Sequence, residues 1–133
     1  EPGHGFGEVD DEIMALVEAG EERVAVQVDE SGWPYHRHIV HIDDVVRAFG
    51  RILGNPSAIG ESFNIAGPAP FDYRAAANYL SERIGVPTVD VACPGYHSFE
   101  IDINKARSML GWEPENDIYR MIDRALQYRE RSN

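Results

Sequence analysis

Residues 35–49, YHRHIVHIDDVVRAF, gather three histidines, an arginine and two aspartates around a β-branched run that passes straight into helical spacing. The β-branched residues favour an extended strand over 36–42, with Arg37, Ile39 and His41 on one face and His36, His38, Val40 and Ile42 on the other. Asp43 or Asp44 can then accept a backbone N–H as a helix N-cap. Beyond it Val45, Val46, Phe49, Ile52 and Leu53 form an apolar stripe that ends at Gly54-Asn55-Pro56. Three readings compete: a metal site, an anion site, or a strand entering a capped helix. Metal is rejected, because only His36 and His38 share a face, His41 points away and the acids already begin the helix. Anion binding centres on Arg37, whose forked guanidinium can present two parallel N–H groups to a phosphate. On composition alone, an arginine paired to a surface carboxylate is the commoner outcome.

Working outward, Val9, Ile13, Leu16 and Val17 recur at helical intervals before Gly20. RVAVQV (23–28) alternates Val24, Val26 and Val28 against Ala25 and Gln27, the period-two pattern of a strand. ESFNIAG (61–67) reads as a short buried strand. A further helix is expected from the Asp72 cap to Gly85, with Ala76, Tyr79, Leu80 and Ile84 inward and Pro87 beyond. TVDVACPG (88–95) is a strand into a turn, INKARSML (103–110) a short helix stopped by Gly111, and a last helix from Asp117 buries Ile118, Ile122, Ala125 and Leu126. Short strands interleaved with about five helices predict an α/β or α+β domain.

The chain has 133 residues, one cysteine and a formal net charge of -11. That acidity repels phosphate backbones, so no nucleic-acid partner is expected. Only Lys105 among the 12 basic residues is a lysine, so any phosphate contact falls to arginine. A lone Cys93 excludes an internal disulfide and fits a reducing, cytoplasmic setting, where it reads as a small inert core residue. No apolar run approaches membrane-spanning length, and no membrane partner is expected.

No spacing here pairs a nucleophile with a base, and no catalytic residue is assigned. The adjacent acids Asp10-Asp11 and Asp43-Asp44 read as helix caps. GHGFGE (3–8) lacks the preceding strand and the remaining glycine of a dinucleotide-binding turn, so no cofactor-binding residue is assigned either. Trp112, just past a glycine stop and before Pro114, is expected to pack back on its helix.

Taken in order, several segments resemble the carboxy-terminal half of the extended short-chain dehydrogenase/reductase superfamily, the nucleoside-diphosphate-sugar epimerases and dehydratases. RHIVHIDDVVRAF (37–49) is similar to the R-D-[FY]-[IV]-[HY]-[VI]-x-D segment of that family. GESFNIAG (60–67) resembles its G-x-x-[FY]-N-[IV]-G signature, and DINKARSMLGWEP (102–114) its D-x-S-K-A-x-x-x-L-G-[WY]-x-P block. The opening EPGHGFG resembles the G-P-G loop that follows the catalytic tyrosine and lysine.

The resemblance implies a partial domain, residues 1–133, forming the substrate-binding carboxy-terminal region of an extended Rossmann-type epimerase fold, with the Rossmann half outside this chain. It implies that Arg37 holds a diphosphate oxygen of a nucleotide sugar, and that Ala25 and Gln27 lie beside the nucleotide base. Asn64, His41 and Asp44 fall in structural positions. A second arginine that many such enzymes carry before the D-x-S-K-A aspartate is absent; VACPGYHSFEID (91–102) offers Cys93, Tyr96 and His97 instead. His97 compensates only weakly near neutral pH. Asn104 replaces the usual serine at a helix start. NAD or NADP is implied for the full-length parent and is not expected to bind this chain alone, which is expected to be inactive. FNIAG and the helix over 44–53 would normally pack on the missing half, so the isolated chain is expected to self-associate through an exposed apolar face. The competing expectation is a binding or interaction module that retains the fold without the chemistry.

Overall fold

The computed structural model describes residues 14–16 and 18–132. Val9, Ile13 and Val17 of the first expected helix, the Asp10-Asp11 caps and the EPGHGFG opening lie outside the described residues; residues 14–16 and 18 are helical. There follow β1 (Val24–Val28), β2 (His36–Arg37), α1 (Ile42–Ile52), a 3₁₀ turn (Pro56–Ala58), β3 (Phe71–Asp72), α2 (Tyr73–Ile84), β4 (Thr88–Ala92), α3 (Asn104–Leu110) and α4 (Ile118–Ser132). The mixed α/β class is as expected. Among the described residues, no helix is long and apolar enough to cross a membrane. The chain divides into two compact units: the described residues up to Arg37 with Phe71–Ser98, and His38–Pro70 with the described residues from Phe99 on.

In the first unit β1 and β4 run parallel, in register from Val24 opposite Thr88 to Val28 opposite Ala92. Parallel strands need a long connection, and α2 is part of it, packing Ala77 and Tyr73 on the valine face of β1. The side chain of Asp72 accepts the Ala75 N–H at 2.7 Å, and Gly85 ends α2 in the left-handed region at φ 70°. Its inward face is narrower than expected: Ala76 and Ala77 are buried, Tyr79 and Leu80 half-buried, and Ile84 exposed. Arg74 forks onto both oxygens of Asp90 at 2.8 and 2.9 Å, tying α2 to β4 and holding the Asp90 carboxyl below its usual range.

The second unit corrects the decisive stretch. The strand expected over 36–42 stops at Arg37, where β2 pairs with the two residues of β3. ESFNIAG forms no strand; one backbone bond, Gly67 N to Ile39 O at 2.7 Å, joins it to the 38–41 segment. A Cβ on Gly67 would lie 2.6 Å from that same oxygen, so only glycine permits the approach. The cap of α1 is His41, whose Nδ1 accepts the Asp43 N–H at 3.1 Å, in place of either aspartate.

Asp44 is drawn inward instead. Its side chain is fully buried, accepting the Glu115 N–H on Oδ1 and both the Asn116 N–H and its side-chain amide on Oδ2, at 3.0, 3.0 and 3.1 Å. The Asp44 carbonyl accepts the Trp112 indole N–H at 3.0 Å. Trp112 completes a core of Ala48, Ala66, Ile103, Ala106 and Leu110, and Gly111 at φ 58° turns the chain back into it as expected. Asp102 rather than Asn104 supplies the side-chain acceptor at the start of α3, taking the Asn104 N–H at 2.8 Å. On α4, Ile118, Ile122 and Leu126 are half-buried, while Ala125 is exposed.

With Asp44 and Ala48 facing the core, the opposite stripe of α1 faces out. Ile42, Val46, Phe49 and Leu53 are all more than half exposed. Of the five residues expected inward, only Val45 and Ile52 are half-buried. FNIAG does not share this outward face, since Ala66 belongs to the core and Phe63 and Ile65 pack against it.

Candidate functional site

Arg37 ends β2 in the first unit, and Tyr35, Tyr96 and His97 are among the neighbours that restrain its side chain. The guanidinium carbon stands 4.8 Å from the ring centre of Tyr96 and 5.5 Å from that of Tyr35. One terminal N–H group donates to the carbonyl of His97. The two tyrosine rings lie 6.1 Å apart, tilted by 46°. Cation–π attraction over two ring faces restrains an otherwise flexible side chain, so the charge is held in place before any ligand arrives.

The rings are themselves anchored. Tyr35 is buried and donates its hydroxyl to the Cys93 carbonyl at 3.0 Å; burial, reinforced by nearby Asp29, raises its phenol above the ordinary tyrosine value. Cys93, fully buried, packs with Tyr35 and Val91 as a small core residue. The Pro94-Gly95 turn, with Gly95 at φ 85° and a Tyr96 N to Cys93 O bond of 3.3 Å, returns Tyr96 to the arginine. Ser98 follows, its hydroxyl accepting the His36 N–H at 3.0 Å.

Gln27 adjoins this cluster through its backbone, whose carbonyl accepts the Tyr35 N–H at 3.1 Å. Its side chain points to the β1 face opposite Val26 and Val28, and Oε1 is the buried side-chain N or O atom without a partner among the described residues. A buried acceptor left unmatched costs about 1–3 kcal/mol, which a ligand N–H would recover. Ala25 shares that face and is exposed.

Thus the structure links Arg37 to His97 directly and to Gln27 through Tyr35. The contact from His97 comes from its main chain, and the residue is exposed. Sequence reasoning missed the two tyrosines. The Tyr35-x-Arg37 spacing places both on one strand face and was a readable signal; Tyr96 arrives from sixty residues away and was not.

Both ring nitrogens of His38 engage backbone groups, and His36 lies 3.7 Å from an Asp72 oxygen. Among the described residues, no three His, Cys, Asp or Glu side chains form a metal-binding group.

No family model matches the chain. A curated relative, the chloroplast stem-loop binding protein of 41 kDa b from Arabidopsis thaliana, is 28% identical over a 95-residue alignment that covers 59% of this chain and 25% of that protein. A short-chain dehydrogenase/reductase superfamily protein from Agrobacterium tumefaciens, solved with bound NAD, superposes with a TM-score of 0.80 at 28% identity, over 92% of this chain and 39% of that one. The UDP-glucuronic acid 4-epimerase of Bacillus cereus, in complex with UDP-glucuronic acid and NAD, gives 0.67 at 19% identity over 87% and 38%. The dTDP-glucose 4,6-dehydratase of Bacillus anthracis, in complex with NAD, gives 0.67 at 19% over 90% and 37%. The chain spans well under half the length of each of these proteins. It has the fold of the carboxy-terminal part of the extended short-chain dehydrogenases/reductases, as found in the NAD-dependent epimerases and dehydratases.

Proposed function

We propose that this chain is the substrate-binding portion of an NAD(P)-dependent epimerase or dehydratase acting on a nucleotide sugar, and that it does not complete the reaction by itself. The observation carrying this reading is the restrained guanidinium of Arg37, a cation held against two neighbouring aromatic rings on the unit that also presents the unmatched Gln27 acceptor. Arg37 would hold a diphosphate oxygen. Gln27 would accept an N–H of the base, Ala25 would leave room beside it, and His97 would fix Arg37 through its carbonyl while its ring gives a weak further contact. The parent's dinucleotide, which supplies hydride transfer when bound, finds no G-x-G-x-x-G turn in this sequence. This chain's part is to bind and orient.

Titration calorimetry of the purified chain with UDP tests the reading. UDP is expected to bind weakly and NAD not at all, and Arg37→Ala is expected to weaken UDP roughly tenfold to a hundredfold, the value of one charge-assisted hydrogen bond. Equal UDP affinity in the variant would overturn the assignment of Arg37. A second reading, a binding module without chemistry, is favoured by the curated relative named for stem-loop binding. An RNA hairpin that binds where UDP does not would support it.

The outward stripe of α1 concerns partners. We propose that Ile42, Val46, Phe49 and Leu53 are covered by the Rossmann half in the parent, and by a second copy when the chain is isolated. Light scattering is expected to show mass rising with concentration and falling back to the monomer in Phe49→Lys. A wild-type chain monomeric throughout would refute this.

A further inference from the structure

The face of β2 turned away from Arg37 borders a cleft of about 750 Å³ in the first unit, between residues 31–36 and the first turns of α2. One wall is Trp33, which is 72% exposed although tryptophan is mostly buried in folded chains. A lone exposed ring is ordinary, but this one is held in position. Asp29 accepts the Ser31 and Trp33 N–H groups on Oδ1 at 2.8 and 2.9 Å, and its own N–H donates to the Trp33 carbonyl at 2.8 Å. Gly32, at φ 81°, makes the turn. The indole is thus set at the cleft before any ligand arrives, with Pro34 and Ala75 extending the apolar lining.

We propose that this cleft is a second binding site, for a neutral saccharide ring stacked on Trp33. Charge decides the ligand class. Among the described residues lining the cleft, the guanidinium is that of Arg74, already forked onto Asp90 and 3.4 Å from the Gly32 carbonyl, so neither guanidinium nor ammonium is left to seat a phosphate. Asp72 adds a carboxylate, with one oxygen on the Ala75 N–H and the other 3.7 Å from His36 Nε2. The exposed Asn78 amide and the Ser31 hydroxyl have no partner among the described residues. A pyranose matches this set: its C–H face packs on the electron-rich indole face, and its hydroxyls can donate to Asp72 and accept from Asn78. The volume lies within the range of small-molecule sites. His36 and Arg37 are consecutive on β2 and point to opposite faces, so this site is separate from the one proposed for the diphosphate.

The chain has two tryptophans, and Trp112 is buried in the second unit, so their indole N–H resonances report on separate places. The test is titration of the isotopically labelled full chain with methyl glucopyranoside, methyl galactopyranoside and methyl mannopyranoside, followed by NMR. At least one is expected to shift the Trp33 indole and Asn78 side-chain amide with millimolar affinity while Trp112 stays still. Glycerol, with hydroxyls but no ring face, is expected to shift neither. Trp33→Ala removes an exposed ring and leaves the core intact; it is expected to abolish the Asn78 response and to leave UDP binding unchanged. Asn78→Ala is expected to weaken saccharide binding about threefold to tenfold, the worth of one neutral hydrogen bond. Arg37→Ala is expected to leave saccharide binding as it was, so a failure of the UDP reading is told apart from a failure here. An unmoved Trp33 indole at about 100 mM of all three pyranosides, far above a millimolar dissociation constant, would overturn the proposal. An equal response to glycerol, or a saccharide response lost in Arg37→Ala and kept in Trp33→Ala, overturns it as well.

Discussion

Asp44→Ala is expected to destabilise the second unit by about 3–5 kcal/mol, read as a lower urea midpoint at an unchanged slope. The carboxylate receives three hydrogen bonds from Glu115 and Asn116 and lies 3.3 Å from the Arg47 guanidinium. Alanine leaves those donors without an acceptor. Domains of this size have about 5–15 kcal/mol of stability in all, so much of it is at stake. Burial alone would raise the Asp44 carboxyl, but the bonds from Glu115 and Asn116, with the charge of Arg47, outweigh it and leave the group below its usual range. With a folded pKa below the unfolded one, the contribution is fully present above about pH 4 and is lost as pH falls through the folded value. Asp44→Asn keeps one acceptor but turns an NH₂ toward donors. It is expected to be intermediate in stability and to lack this carboxylate's share of the acid dependence.

Where the chain's signals are local, the fold was legible. Valine alternation gave β1, Asp72 and Gly85 bounded α2, and Gly111 before Trp112 gave both a helix end and a core residue. The 38–42 stretch has the β-branched residues of a strand but no continuous partner: after one bond to Gly67 the facing segment turns into the core, and an unpaired strand has no ladder to hold it. Aspartate is the better cap by general preference, yet His41 caps α1 because Asp44 satisfies donors more than seventy residues away, a demand no local pattern reveals. The apolar residues of α1 form one arc opposite Asp43, Arg47 and Arg51, and that arc is wider than the strip the unit covers: its Val45, Ala48 and Ile52 edge turns inward and its Ile42, Val46, Phe49 and Leu53 edge outward. His38 occupies the aspartate position of the R-D-[FY] motif, and its role became visible only once Gly67 and Ile101 were seen on either side of the ring. At the candidate site, Arg37 could be selected from sequence, whereas its confinement by Tyr96 and the His97 carbonyl depends on a contact that spans sixty residues.

Trp112→Ala is expected to cost about 3–5 kcal/mol, by the loss of a large buried ring and the cavity it leaves. The residue is 1% exposed and shares its core with Ala48, Ala66 and Ala106, small neighbours with little capacity to fill the space. Trp112→Phe separates the two contributions of the indole. It retains much of the apolar contact but removes the N–H that the Asp44 carbonyl accepts at 3.0 Å, so a smaller loss of about 1–3 kcal/mol is expected. The two residues also act on each other. Trp112 holds the main chain of Asp44, and the Asp44 carboxylate holds the 115–116 segment that follows Trp112, closing a ring of contacts between the start of α1 and the chain beyond α3. A double-mutant cycle of Asp44→Asn with Trp112→Phe is therefore expected to be non-additive by roughly 0.5–3 kcal/mol, the double variant losing less than the sum of the singles. Strict additivity in urea unfolding would mean that the carboxylate keeps its partners when the indole is absent, and that the two bonds support the unit independently.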